Sequence, residues 1–117
     1  MPIKFVKRPE IYTIKIDGTD LPLTEFTVKR INESERSAIR AKCGEDMSLF
    51  SFTIIYDSIK AWRNLKDQDG NELEFNDDNK REVVFGLMEI SQFAEKWRAG
   101  QSSPLELSGP GSIQSSG

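Results

Sequence analysis

Histidine is absent from this sequence, and cysteine occurs only once, at Cys43. Without an imidazole, Ser–His and Cys–His nucleophile pairs and most zinc sites are excluded. A single cysteine forms no internal disulfide, so we expect an intracellular protein with Cys43 buried at a helix end. Long apolar runs are also missing. The densest run, residues 47–56, is far shorter than the ~20 residues of a membrane-spanning helix.

Basic residues are fewer than acidic residues in this sequence. The chain has 16 Lys and Arg residues against 19 Asp and Glu residues, for a net charge of -3. Binding along a phosphate backbone requires a surplus of Lys and Arg on one surface. The basic strip between residues 29 and 42 is interrupted by Glu33 and Glu35, which is typical of a solvated helix surface. We therefore expect neither a nucleic-acid partner nor a membrane partner.

The first 31 residues are typical of β-structure. Residues 11–16 and 25–31 are rich in β-branched and aromatic side chains, and a DG turn signal lies between them. Prolines at positions 2, 9 and 22 flank these runs, where no ladder donor is needed. An antiparallel β unit over residues 1–31 is the prediction.

Residues 32–99 show a helical pattern and are predicted to complete one globular domain, residues 1–99, of mostly helical α+β class. Asn32 and Glu35 have the spacing of a capping box, and Gly44 is suited to end the first helix. A second helix is predicted over residues 48–63, because five apolar residues recur at helical spacing: Phe52, Ile55, Tyr56, Ile59 and Trp62. Alternating apolar residues leave a strand open for residues 47–56.

A third helical region follows residue 76. Asn76 or Asp77 is suited to cap it, and Gly86 or Ser91 marks the place of a kink or break. From residue 100 onward the chain is rich in Ser, Gly and Pro, with a short apolar patch at residues 105–107. This composition predicts a flexible tail over residues 100–117.

The segment Asp67–Asn71 holds the densest set of oxygen ligands in the chain. An EF-hand loop needs Gly at its sixth position and Glu at its twelfth. With Gly70 at the sixth position, Leu65 falls at the first and Asn76 at the twelfth, so the register fails. Gly and Asn tolerate positive φ, which favours a tight turn at Asp69 and Gly70 within a short hairpin. No metal or cofactor is predicted.

The order of these parts resembles the small tail assembly chaperones of long-tailed bacteriophages and prophages. The chain begins with β-rich segments and a helix, followed by an apolar helix that ends at Trp62. A D-x-D-G turn, Phe75 and a capped helix come next. The resemblance covers roughly residues 24–98. It implies a protein without catalytic activity, in the cytoplasm of a bacterial host, that holds the helical tape-measure protein until the tail tube polymerises. It assigns Trp62, Asp69, Gly70 and Phe75 to the scaffold.

A chaperone of this kind needs an apolar surface for its client and often self-associates to cover it. Residues 83–93 hold more apolar side chains than one helix face requires, and Phe85 and Phe93 lie off the main stripe. These two rings are the candidates for partner binding, and burial beneath the N-terminal strands is the alternative for each. The expected partners are a tape-measure or other tail protein and a second copy of this chain.

Two other functions stay open at this point. One is a structural virion component, such as a tail or head–tail completion protein. The other is a small regulatory protein that binds a host factor.

Overall fold

The computed structural model describes residues 2–17 and 23–107. In chain order its elements are β1 (Ile3–Phe5), β2 (Ile11–Ile16), β3 (Thr24–Lys29), α1 (Glu33–Cys43), α2 (Met47–Ser58), β4 (Ile59–Arg63), α3 (Asp77–Leu87), α4 (Ser91–Gly100) and β5 (Leu105–Leu107). Helices and antiparallel strands therefore share one small domain, which confirms the predicted α+β class.

The antiparallel sheet has the strand order β2-β3-β4. Ile14 lies opposite Phe26, and Phe26 lies opposite Trp62. Residues directly opposite one another share a face of a sheet, and all three of these side chains are buried. Helices α3 and α4 contribute the other side of this core, through Val84, Leu87 and Phe93. The predicted strands at residues 11–16 and 25–31 are confirmed, although β3 ends at Lys29.

The helix predicted over residues 48–63 is wrong beyond Ser58, and the prediction that residues 32–99 are helical fails there too. Ile59 and Trp62 are three residues apart and both buried, a spacing that favours a helix. In a regular strand, residues three apart point to opposite faces. The register of β3 against β4 shifts between Thr27 and Val28, which leaves Lys60 as an extra residue. This bulge returns Ile59 and Trp62 to the same face.

The predicted ends of α1, and the predicted start and break of the third helical region, are confirmed. The Asn32 side chain accepts a hydrogen bond from the Glu35 amide at 2.8 Å, and the Glu35 carboxylate accepts one from the Asn32 amide at 3.0 Å. Gly44, with a φ of 61°, follows α1. The Asn76 side chain caps α3, and the predicted break separates Leu87 from Ser91.

A second, smaller core joins α1 to α2. Its buried members are Ile31, Ile39, Cys43, Phe50 and Ile54. Cys43 is therefore a buried residue at the end of α1, as predicted.

The flexible tail predicted from residue 100 is wrong for residues 101–107, and the rest of that prediction, residues 108–117, lies outside the described residues. Strand β5 pairs with β1 in a two-stranded ribbon, with Ile3 opposite Leu107 and Phe5 opposite Leu105. These four side chains form one exposed apolar face of the ribbon. Composition alone missed the pairing because the strand partner lies at the other end of the sequence.

Gln101 anchors the start of this C-terminal segment. Its Oε1 accepts a hydrogen bond from the Ile31 amide at 2.8 Å. Its Nε2 donates to the Lys29 carbonyl at 2.9 Å and to the Tyr12 hydroxyl at 3.0 Å. One side-chain amide thus pairs with a carbonyl in the last residue of β3 and with an amide just beyond it.

We expect Gln101→Ala to lower the free energy of unfolding by about 1–3 kcal/mol, because it leaves partly buried backbone groups without partners. Gln92→Ala is the matched control, since the bond from the Asp17 amide to Gln92 is exposed to solvent. The control should cost less than about 0.5 kcal/mol. Equal urea midpoints for the two variants would show that Gln101 does not anchor the fold.

Gly100 lies against the ring of Tyr12, and a β-carbon added there would overlap that ring. The ring is held in place because its hydroxyl donates to the Trp97 carbonyl at 2.9 Å. Burial raises the pKa of Tyr12 to about 12, so the hydroxyl stays a neutral donor at ordinary pH. Gly100 therefore sets how closely α4 approaches β2.

We expect Gly100→Ala to destabilise the protein by about 1–3 kcal/mol through this overlap. Gly86→Ala is the control, because a β-carbon at Gly86 in α3 meets nothing within 4 Å. Alanine there should stabilise the helix by up to about 1 kcal/mol. Thermal or urea unfolding measures both changes, and a neutral Gly100→Ala would contradict the close approach of α4 to Tyr12.

Candidate protein-binding surface

Helix α2 carries apolar side chains on every side. Its sequence is MSLFSFTIIYDS, in which Asp57 is the only charged residue. A helix that is apolar all round is normally buried. The side chains of Phe50 and Ile54 are buried, but Met47 and Leu49 remain exposed. The described part of the chain therefore covers only part of the apolar surface of α2.

The exposed side of α2 continues onto α3. The rings of Phe52 and Phe85 lie 4.6 Å apart, and the rings of Phe52 and Tyr56 stack at 5.8 Å. Leu49 is 45% exposed and Phe85 is 58% exposed. We call Leu49, Phe52, Tyr56 and Phe85 the α2–α3 patch. Phe85, one of the two rings predicted for partner binding, is thus at the surface.

Phe93, the other predicted partner-binding ring, is fully buried. Its ring meets the ring of Phe26 edge to face, with centroids 5.7 Å apart. The break after Leu87 places Phe93 on a separate helix, α4, whose buried side faces the sheet. The prediction of Phe93 as a partner-binding residue is therefore wrong, and the alternative of burial against the strands is correct for this ring.

A second apolar surface lies between α2 and α4. This α2–α4 groove has a volume of about 310 Å³ and is lined by residues of all four described helices: Arg36, Phe50, Ser51, Ile54, Ile55, Leu87, Met88, Phe93, Ala94, Trp97 and Arg98. Trp97 Nε1 donates a hydrogen bond to Ser58 Oγ at 2.8 Å, which ties α4 to the C-terminal end of α2. The groove joins residues that are distant in sequence, so no local pattern predicted it.

The Asp67–Asn71 segment is the predicted turn. The Asp67 carboxylate accepts hydrogen bonds from the Asp69 amide at 2.9 Å and the Asn71 amide at 3.0 Å. Gly70 has a φ of 83°, and Lys66 pairs with Glu72 across the hairpin. The oxygen atoms that suggested a metal site are thus used, in part, to hold the turn. Within residues 2–17 and 23–107, no group of three metal-ligating side chains is found.

Trp62 and Phe75 connect the hairpin to the core. Trp62 is buried, as predicted, and its Nε1 donates to the Leu73 carbonyl at 2.8 Å. The ring of Phe75 lies 4.7 Å from that of Trp62. Lys80, which the sequence analysis missed, places its Nζ 4.2 Å from the centroid of the Tyr56 ring. Burial lowers the pKa of Lys80.

The lowered carboxylate pKa values have local structural causes. In each case a neighbouring donor stabilises the charged form. A hydrogen bond from Arg63 lowers the pKa of Glu25, and one from the Asn32 amide lowers the pKa of Glu35. A hydrogen bond from Lys66 lowers the pKa of Glu72. These three carboxylates belong to ion pairs and to a helix cap, and none of them lines the α2–α4 groove.

No protein-family model matches the chain, and searches of curated proteins and of solved structures return no match either. The helices in the described part of the chain include none with the length and apolar character needed to cross a membrane.

We expect Phe93→Ala to cost about 3–5 kcal/mol, because it removes a fully buried ring from the core. Phe85→Ala makes the same chemical change at the surface and should cost less than about 1 kcal/mol. Urea unfolding of the two variants measures the difference. Equal losses would mean that Phe85 is a core residue and that the α2–α3 patch is not a free surface.

Proposed function

We propose that this chain is a tail assembly chaperone without catalytic activity, which holds an apolar helical segment of a phage tape-measure protein on the α2–α3 patch. The observation that supports the proposal is the incomplete cover of α2. Leu49 and Phe85 leave a continuous apolar surface beside the ring of Phe52. Contiguous apolar surface on a small protein is characteristic of a site for protein binding.

The client helix would lay its apolar side on the rings of Phe52 and Phe85. Burying one large apolar side chain contributes about 1.5–3 kcal/mol. The free energy gained from a few such contacts exceeds the entropic cost of association by only a small margin. Binding of this strength is reversible, as a chaperone requires, because the client must leave when the tail tube forms around it.

Without a client, the same patch would pair with that of a second copy. A two-fold contact uses the same surface on both copies, so Phe85 would face the α2–α3 patch of its neighbour. Self-association and client binding are then alternatives at one surface. The proposal therefore includes a homo-oligomer that the client displaces.

Co-expression with a tape-measure protein tests this function. We expect the wild-type chain to raise the soluble fraction of the tape-measure protein, and Phe85→Glu to abolish this effect by placing a charge in the patch. Phe5→Glu is the matched control, because Phe5 is also exposed but lies on the β1–β5 ribbon. The control should retain the wild-type effect, and both variants should keep the wild-type urea midpoint.

Three results would contradict the proposal. A tape-measure protein equally soluble with and without this chain would remove the chaperone function. Loss of the effect in Phe5→Glu but not in Phe85→Glu would assign client binding to the ribbon. Retention of the chain in purified phage particles would favour a structural virion component, because a chaperone leaves before assembly is complete.

A further inference from the structure

The α2–α4 groove combines an apolar floor with a basic edge. Phe50, Ile54 and Phe93 are buried in its floor, and Arg36 and Arg98 lie among its lining residues. Arg40 adds a third cation nearby, with its guanidinium 4.0 Å above the centroid of the Phe50 ring. The chain as a whole has a net charge of -3, so this basic edge differs in sign from the molecule that carries it.

The arginines at this edge form no salt bridge with the carboxylates of residues 2–17 and 23–107. Glu33 and Glu95 lie three residues before Arg36 and Arg98 on the same helices. The salt bridges among the described residues nevertheless involve other side chains, and no carboxylate is found among the described residues that line the groove. Within the described part of the chain, no carboxylate therefore competes for the Arg36 and Arg98 guanidinium groups with an acceptor from another molecule.

The helical lining of the groove favours a helix as its occupant. Its walls are the side chains of α1, α2, α3 and α4, so an extended peptide would find no strand edge with which to pair. A helix satisfies its own backbone hydrogen bonds and can place an apolar face on an apolar floor. The groove is thus suited to a helix rather than to an added strand.

We propose that the α2–α4 groove binds an amphipathic helix from another protein, with its apolar face on Ile55, Met88 and Trp97 and acidic side chains along its edges paired with Arg36 and Arg98. Arginine forms forked hydrogen bonds with carboxylates, which fixes the orientation of the bound helix. The charge of the edge selects acidic helices over basic ones. Binding at this groove does not depend on the client proposed above, because the α2–α3 patch uses other residues.

Two designed helical peptides of about 18 residues, roughly five turns, test the proposal. Both carry the same leucine face; one has glutamates along its edges and the other has lysines. We expect the acidic peptide to bind at least about tenfold more tightly at low salt, as measured by fluorescence anisotropy. The difference should shrink as salt screens the charges. Emission from Trp97 in the groove should change on binding.

Four variants locate the site on the molecule. Arg36→Glu and Arg98→Glu should each weaken binding of the acidic peptide by about tenfold or more. Arg81→Glu makes the same charge change at an exposed position beside the α2–α3 patch and should change affinity by less than about twofold. Ala94→Phe fills the groove without changing charge and should weaken binding of both peptides.

Several results would overturn this inference. Equal affinity for the two peptides, or no binding of the acidic one, would remove the selectivity for an acidic helix. An equal effect of Arg81→Glu, or full affinity in Ala94→Phe, would show a general electrostatic attraction outside the groove. A wild-type dimer that becomes monomeric in Arg98→Glu would assign the groove to a second copy of the chain. Urea midpoints near that of the wild type would show that each variant is folded.

Discussion

Helix α2 has more apolar surface than the described chain covers, and the other features depend on this imbalance. One side of α2 joins the small core with Ile39 and Cys43, and Ile55 packs against both cores. A second side of α2 contacts the Phe85 ring of α3, and a third side lines the open groove beside α4. A helix with a charged outer face would need no partner at either place. The same sequence therefore provides the core and the two surfaces proposed for binding.

The position of α2 is fixed by the strand that follows it directly. Strand β4 begins at Ile59, and its bulge places both Ile59 and Trp62 in the core. Ser58, at the junction, donates to the Ile55 carbonyl and accepts from Trp97, which joins the end of α2 to α4. A buried polar group with satisfied hydrogen bonds specifies one geometry at little cost. The groove and the patch are thus positioned by one hydrogen-bonded junction.

Local chemistry predicted the parts of the fold that depend on neighbours in sequence. The capping box of Asn32, the glycine after α1 and the turn at Gly70 each use bonds within a few residues. Strand β4 was missed because its bulge imitates helical spacing, and the β1–β5 pair because it joins distant segments. Of the two predicted partner-binding rings, only Phe85 is exposed, since the break after Leu87 turns α4 toward the sheet. The arginine edge depends on the placement of Arg36 in α1 and Arg98 in α4 along one groove, which no periodicity reveals.

Amide chemical-shift mapping by NMR, with a tape-measure fragment titrated into the chain, tests most directly whether the uncovered surface of α2 is the binding surface. If α2 is the binding surface, the largest shifts should occur in residues 47–56 and 81–88, with residues 3–5 and 105–107 unchanged. Free energy gained by covering Leu49 and Phe85 would then be the source of binding. Shifts confined to the β1–β5 ribbon, with α2 unperturbed, would contradict it.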